Sequence, residues 1–356
     1  REHIRLFAIH PQGIWLPECA YYEGLDKLMN NLGLRYAVLD THGLLHANPR
    51  PRYGIYSPIC TNNGVAFFAR DSDSTLPVWS AKDGYPGDPN YREFHKDIGW
   101  ELDRQKLQAI GIRNPRPLGL KLYRVTGRST PLNKKEIYKP NIALKTIRDH
   151  ADSYLQGRKN QIEALAKAMN KRPLLVAPFD AELFGHWWYE GPKFLSELFK
   201  QAPRKEINFV RLKDILKTSP TLQLSTPCPS SWGKGGYHEY WMNESNSWII
   251  PQWSKASKIM IELSTKNISN ELDIRILNQA AKELLLSQSS DWSFILRAGT
   301  TTDLAKSRIE THLNRFWMLI NSFNQNKEID LEDLKRIESE DNLFPLIDFK
   351  DWSKDK

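Results

Sequence analysis

The sequence predicts a parallel α/β fold, most simply a barrel, followed by a helical C-terminal region. Three observations carry this expectation. Short apolar runs alternate with amphipathic stretches over the first two-thirds of the chain. Polar or charged residues recur where those runs end, at Glu18, Asp40, Arg70 and Asp180, as at the mouth of a barrel. Beyond about Thr218 a stretch rich in Pro, Ser and Gly (Ser219 to Gly236) gives way to apolar residues at helical spacing.

Taken in order, Gly13 to Pro17 reads as a strand ending at Glu18, and Leu25 to Leu32 as a helix. Arg35 to Leu39 reads as a strand ending at Asp40, and Val65 to Ala69 as one ending at Arg70 and Asp71. Leu118 to Val125 is a further strand candidate, and a long helix is expected from about Ile142 to Met169. Pro173 to Phe179 reads as a strand ending at Asp180, Phe194 to Gln201 as a helix, and Ile207 to Arg211 as a strand leading into the helix Lys213 to Lys217. Leu272 to Gln288 and Thr302 to Phe323 carry the helical period of the second region. The expected organisation is a catalytic α/β part over 1–218, aromatic loops and helices over 219–324, and a charged tail over 325–356. The loop-rich segment from Asp83 to Gly127 is longer than connections in compact domains usually are, which points to a functional loop.

Composition narrows the class of function. The net charge of +8 is a mild excess over 42 interspersed acidic residues, and its densest basic clusters are short, so no nucleic-acid partner is expected. No run approaches the roughly 18–20 uncharged apolar residues of a membrane span, so no membrane partner is expected either. Three scattered cysteines, Cys19, Cys60 and Cys228, without a CxxC pair suit reduced thiols and a cytoplasmic location. Twelve Trp and thirteen Tyr exceed what a core needs, and many stand beside Gly, Asn, Glu and His, as in HWWYEGP (His186 to Pro192) and around Trp232 and Trp241. Such rings are platforms for sugars: the apolar C–H face of a pyranose packs on the ring while its hydroxyls reach polar neighbours.

Retaining glycoside chemistry needs two carboxylates, one to attack the anomeric carbon and one to give and take a proton. Two acidic residues end apolar runs inside aromatic segments: Glu18 in WLPECAY and Asp180 in APFDAELFGHWWYEGP. Glu182 is a rival to Asp180, which is preferred because it follows the apolar run directly. His42 and His186 read as partners of sugar hydroxyls. His42 and His46 are four apart, but no glutamate follows the first, so neither a metal nor any cofactor is expected. No GxSxG elbow, Walker loop or GxGxxG is present.

These segments carry a resemblance. WLPECAY (Trp15 to Tyr21) resembles the nucleophile motif of glycoside hydrolase family 57, and FDAELFGHWWYEGP (Phe179 to Pro192) its acid/base motif. VAFFARD (Val65 to Asp71), VWSAKDGYPGDPNYREFHKDIG (Val78 to Gly99), SSWGKGGYHEYWMNESNSWI (Ser230 to Ile249) and LLLSQSSDWSFIL (Leu284 to Leu296) resemble its branching-enzyme subgroup. The likeness runs from about Gly13 to Phe323. It implies a distorted (β/α)7 barrel, here incomplete at the N-terminus because the family's first strand and its histidine motif have no counterpart, followed by an α-helical C-terminal domain. It implies 1,4-α-glucan branching without a metal: an α-1,4 bond is cleaved and the glucan transferred to a C6 hydroxyl. By that resemblance Glu18 is the nucleophile and Asp180 the proton donor. Arg70, Gly87, Trp232 and Asp291 match substrate-contacting positions, and Trp241 matches an aromatic near the cleft mouth. The expected partner is an α-glucan such as amylose or a glycogen-like polysaccharide. The alternatives are an α-amylase or 4-α-glucanotransferase of the same family, or a non-catalytic glucan-binding remnant.

Overall fold

The structure, a computed structural model, describes residues 2–80, 83–219, 221–325 and 329–353. It forms two compact units, one of Tyr21–Cys228 and one of Arg1–Ala20 with Pro229–Lys356.

The unit Tyr21–Cys228 is built on a small mixed sheet. Strand Tyr36–Leu39 runs parallel to Ala66–Ala69 with Tyr36 opposite Ala66 and Leu39 opposite Ala69. Ala66–Ala69 pairs antiparallel with Ile59–Cys60, which in turn pairs parallel with Gln223–Leu224. Every residue of Ala66–Ala69 is buried, as are Ala37, Val38 and Leu39, which explains why these runs lack polar alternation. Because the two parallel strands end level, Asp40 and Arg70 leave the sheet side by side. Each is followed by a helix: Asp40 caps Thr41–Leu45 by accepting from Thr41 N at 2.7 Å, and Asp71 caps Ser72–Trp79 by accepting from Ser74 N at 3.2 Å.

The long helix Pro140–Ala168 starts with a proline at its first position, where no N–H is needed. Its buried residues Ala143, Ile147, Ala151, Tyr154 and Leu155 fall on one stripe. They pack with Tyr91, Leu183, Trp188 and, from the helix Gly191–Gln201, Phe194 and Leu198. Gly191 is required by that packing, since a Cβ there would lie 2.8 Å from Phe184 Cα.

Three expected strands form no ladder. Pro173 to Phe179 makes two backbone bonds to other segments, Leu174 N to Tyr56 O at 3.0 Å and Asp71 N to Val176 O at 2.8 Å, and its two prolines remove further donors. Leu118 to Val125 makes only single bridges, at Tyr123 with Ile137 and Arg124 with Arg92, because the Asp97 carboxylate takes the N–H groups of Leu118 and Gly119. Ile207 to Arg211 has no ladder among the described residues, and Phe209 and Val210 are about half exposed. Of Gly13 to Pro17 only Gly13–Ile14 is a strand, and Pro17 opens a 3-10 turn.

The other unit is mainly helical. Ala256, Met260 and Leu263 of helix Ile249–Ser264, Ile276 to Leu284 of Glu271–Ser287 and Phe316 to Ile320 of Thr302–Gln325 form its core. The charged stretch near the C-terminus joins it: helix Leu331–Glu340 inserts Leu334, and the turn Phe349–Trp352 inserts Phe349. The α/β region with a helical C-terminal region therefore stands as expected from the sequence. Among the described residues no helix is long and apolar enough to cross a membrane.

Candidate functional site

Glu18 stands at the centre of the 3-10 turn Pro17–Cys19 with φ 55° and ψ 28°, and Cys19 follows with φ 49°. Two successive non-glycine residues in the left-handed region cost conformational energy, and such strain gathers at functional sites. The turn is held from both sides: Cys19 is fully buried, and the Glu18 carbonyl accepts from Trp232 N at 2.6 Å. Trp15 meets Trp232 edge to face, with ring centroids 5.5 Å apart. Glu18 and Trp232 are therefore one structural piece, 214 residues apart in sequence (232 − 18).

The aromatic loop continues from Trp232 to Trp248. Ser231 Oγ accepts from His238 N at 2.7 Å, closing the glycine-rich turn. The Trp241 indole donates to Ser290 O at 3.1 Å, beside Asp291 at the start of helix Ser290–Ala298. Tyr240 stacks on Phe294 at 4.8 Å and 16°, and Arg297 pairs with Glu239 at 2.7 Å. Buried Asn246 donates to Tyr240 O and Ser293 O, at 2.9 and 3.2 Å. Trp241 and Asp291, chosen separately from the sequence, are thus brought to one place. The joint itself, made by Glu239, Asn246 and Arg297, has no signature in sequence.

In the unit Tyr21–Cys228, Asp180 ends its extended segment and opens the turn Ala181–Leu183. Its carboxyl is exposed at the surface yet raised above the ordinary aspartate range, first by partial desolvation and second by the negative charge of Glu182. Glu182 is tied to the following motif: its carbonyl accepts from His186 N and Trp187 N, and its carboxylate accepts from the Trp187 indole at 3.4 Å. The two tryptophans of HWWY part company. Trp188 is buried against Phe194 with centroids 4.9 Å apart, whereas Trp187 is 52% exposed. His186 is exposed and lies edge-on to Phe94 at 5.8 Å.

Arg70 sits between neighbours from its own and the adjacent strand end. Its guanidinium is 3.8 Å from Asp40 and donates to Thr75 Oγ1 at 3.1 Å, while its carbonyl accepts from Thr41 Oγ1 at 2.8 Å. His42 is on that same helix Thr41–Leu45, half-buried. Gly87 ends the turn Tyr85–Gly87 and lines a cavity of 420 Å³ with Tyr85, Asp88, Arg128 and His150. A larger cavity of 540 Å³ is lined by Thr41, Tyr53, Tyr56 and Asp73 and touches none of the site residues chosen from sequence.

Among the described residues one trio has metal-ligand character: Glu283, His312 and Asp341, with donor atoms within 4.8 Å of one another. His312 Nδ1 is 2.7 Å from Glu283, Gln279 donates to Glu283 at 2.9 Å, and Arg315 pairs with Asp341. The Arg315 guanidinium already supplies the cation, so the trio reads as a closed ionic network. Its members are 29 residues apart and more, without a spacing that sequence would flag.

The profile of 1,4-alpha-glucan branching enzyme, C-terminal, matches residues 252–352. A 1,4-alpha-glucan branching enzyme of Thermococcus kodakarensis is 29% identical, over 96% of this chain and 53% of its own length. The α-amylase AmyC of Thermotoga maritima superposes with a TM-score of 0.90 at 38% identity, covering 99% of this chain and 67% of AmyC. The GH57-type branching enzyme of Pyrococcus horikoshii superposes at 0.87 with 31% identity, covering 99% and 66%. The chain spans about half the length of the curated relatives it matches. The profile of glycosyl hydrolase family 57 matches residues 3–226, from ahead of the Glu18 turn through the Asp180 segment, and the chain belongs to that family.

Proposed function

We propose that this chain performs retaining transfer on α-1,4-glucans as a 1,4-α-glucan branching enzyme, with Glu18 as nucleophile and Asp180 as proton donor and acceptor. The observation that carries the reading is the strapped turn at Glu18. A carboxylate on a strained turn, bonded through its own carbonyl to an indole-bearing residue, presents nucleophile and sugar platform as one rigid piece. The raised Asp180 carboxyl and the matched branching-enzyme C-terminal region support it.

The chemistry follows from two carboxylates. A Glu18 oxygen attacks C1 of the glucan, the C1–O4 bond breaks, and O4 takes the Asp180 proton. The second half reverses the roles: an acceptor O6–H gives its proton to the Asp180 carboxylate, O6 attacks C1, and the ester to Glu18 breaks. Two inversions at C1 give retention. Transfer requires that water lose to the sugar hydroxyl at the ester stage, and the walls of Trp232, Trp241 and Trp248 are suited to hold a glucan and exclude water. Arg70, Gly87, Asp291, His42 and His186 are assigned to binding glucan.

The structural likeness to AmyC favours one second reading, α-amylase, in which water takes the acceptor's place. Incubation with amylose separates them. New α-1,6 linkages with few new reducing ends are expected, whereas reducing ends alone would establish the amylase. Glu18→Gln and Asp180→Asn are each expected to lower turnover by at least about a hundredfold with unchanged melting temperature. Turnover like wild type in either variant would overturn that residue's role.

A further inference from the structure

We propose that Glu190 is a positioning residue for the reaction: its buried carboxyl ties the excursion from Pro89 to Tyr138 to the loop that carries Asp180, and so fixes where the proton donor stands. The inference rests on the assignment of Asp180 as proton donor, and every group in the tie belongs to the unit Tyr21–Cys228.

Glu190 follows the aromatic run of the Asp180 motif and is 2% exposed. Helix Gly191–Gln201 does not need its side chain. The helix takes the main-chain carbonyl of Glu190, which accepts from Lys193 N and Phe194 N at 3.0 Å each, and no side-chain cap is made. The carboxyl turns elsewhere and accepts from the main-chain N–H of Arg92 at 3.0 Å. The Tyr138 hydroxyl stands close to it. The Arg92 guanidinium lies over the Tyr189 ring, 3.4 Å from its centroid, and 4.9 Å from that of Tyr138.

Burial raises the Glu190 carboxyl above the ordinary glutamate range, despite the bonds from Tyr138 and Arg92 N. An apolar side chain of the same shape would avoid that cost, and what the polar group supplies in its place is register. Rings already join the two segments: Tyr91 meets Trp188 and Phe94 meets Trp187, with centroids 5.6 and 4.7 Å apart. Apolar contact is non-directional. It brings the segments together without fixing how far one slides along the other. The bond from Arg92 N to Glu190 fixes it.

Both sides of the tie are stiff. In the excursion, Glu93 N bonds Tyr123 O at 2.9 Å, Val125 N bonds Tyr91 O at 2.8 Å, and the nearly buried Lys135 and Glu93 side chains pair at 2.9 Å. In the loop, Trp188 N bonds Leu183 O and Gly185 N bonds Trp188 O, both at 2.9 Å, and Leu183 N bonds Asp180 O at 3.1 Å. Gly191 is pressed on Phe184, as its missing Cβ shows. A shift at Glu190 is therefore passed through Trp188 and Phe184 to the Asp180 turn. A misplacement of about 1 Å is enough to cost about a hundredfold in rate.

The test compares two glucan donors on the full chain. Amylose needs the Asp180 proton on O4. α-Maltotriosyl fluoride does not: a Glu18 oxygen attacks C1, the C1–F bond breaks, and fluoride leaves with the electron pair, unprotonated. The readouts are kcat and KM on amylose and the rapid first release of fluoride. Asp180→Asn is the control, expected to lose amylose turnover and keep most of the fluoride release. Glu190→Ala is expected to lower kcat on amylose by about tenfold to a hundredfold, with KM changed by less than about twofold and fluoride release by less than about threefold. Glu190→Gln keeps an acceptor for Arg92 N and is expected to restore amylose turnover to within about threefold of wild type. Tyr138→Phe is expected to show a smaller loss, again on amylose alone, and it carries the test if Glu190→Ala does not fold. Equal losses on both donors, or no loss on either, overturn the positioning role while the assignment of Asp180 stands. If Asp180→Asn itself loses both equally, or wild type acts on neither donor, the proton-donor reading falls and the role of Glu190 falls with it.

Discussion

Asp180 and Glu182 are two carboxylates on one turn, and their surroundings differ. Asp180 is raised by desolvation and by the Glu182 charge, while Glu182 is engaged by the Trp187 indole. The sequence presented both as candidates and preferred Asp180 only for following an apolar run. In its proposed role as proton donor Asp180 works while protonated, so turnover is expected to fall as pH rises through the pKa of Asp180. Removing the Glu182 charge makes ionisation easier and moves that fall to lower pH. Glu182→Gln is therefore expected to shift the alkaline limb of the pH–rate profile downward by part of the raise, since desolvation remains. An unmoved limb would show that Glu182 does not act on Asp180. Glu18 was legible as a residue type in a motif, but its φ of 55° and its bond to Trp232 were not, because both depend on a segment more than two hundred residues away.

At the scale of elements, helices were read well and strands poorly. The helix expected over Ile142 to Met169 is found at Pro140–Ala168, and that expected over Leu272 to Gln288 at Glu271–Ser287. A helix satisfies its backbone locally, so its period shows in its own sequence. A strand needs a neighbour, and no periodicity within Leu118 to Val125 reveals that Asp97 takes its first N–H groups. Asp97 accepts from Gly99, Leu118 and Gly119 at 2.8 to 2.9 Å and pairs with Lys121 at 3.2 Å. Burial pushes its carboxyl up, but the bonds from Leu118 and Gly99 and the Lys121 charge outweigh this and leave it below the ordinary value. A depressed folded pKa gives stability that is present above the unfolded value of about 3.9 and is lost as pH falls through the folded one. Asp97→Asn is expected to lower the melting temperature at neutral pH and to flatten its decline below about pH 4. An equally steep acid decline in the variant would place the sensitive group elsewhere. Gly99 belongs to the same knot, because a Cβ would lie 2.0 Å from Arg116 O.

At the scale of the molecule, the helical unit is closed by charge as well as by its apolar core. Glu283 is fully buried, and burial raises its carboxyl despite the bonds from His312 and Gln279. His312 joins helix Thr302–Gln325 to Glu271–Ser287, and Arg315 carries the network on to Asp341 at the end of Leu331–Glu340. Removing His312 leaves the buried Glu283 carboxyl without its partner at 2.7 Å. His312→Ala is expected to destabilise the protein by about 1–3 kcal/mol, measured by urea unfolding followed by circular dichroism. A loss under about 1 kcal/mol would mean that Glu283 is neutral and needs no partner.

The sequence by itself determined the family, the α/β region with helices after it and the aromatic surplus suited to sugars, and it offered the candidate carboxylates. These are properties of local pattern: residue type, apolar period, and motifs of ten or twenty residues. Tertiary structure alone decided that Trp232 clasps the Glu18 turn and that Trp241 anchors beside Asp291. It also decided that Trp187 faces outward while Trp188 faces in, and that Glu283, His312 and Asp341 form one network. Each depends on hydrogen bonds and packing between segments far apart in the chain, and a single sequence carries no local signal for a partner that only folding brings near.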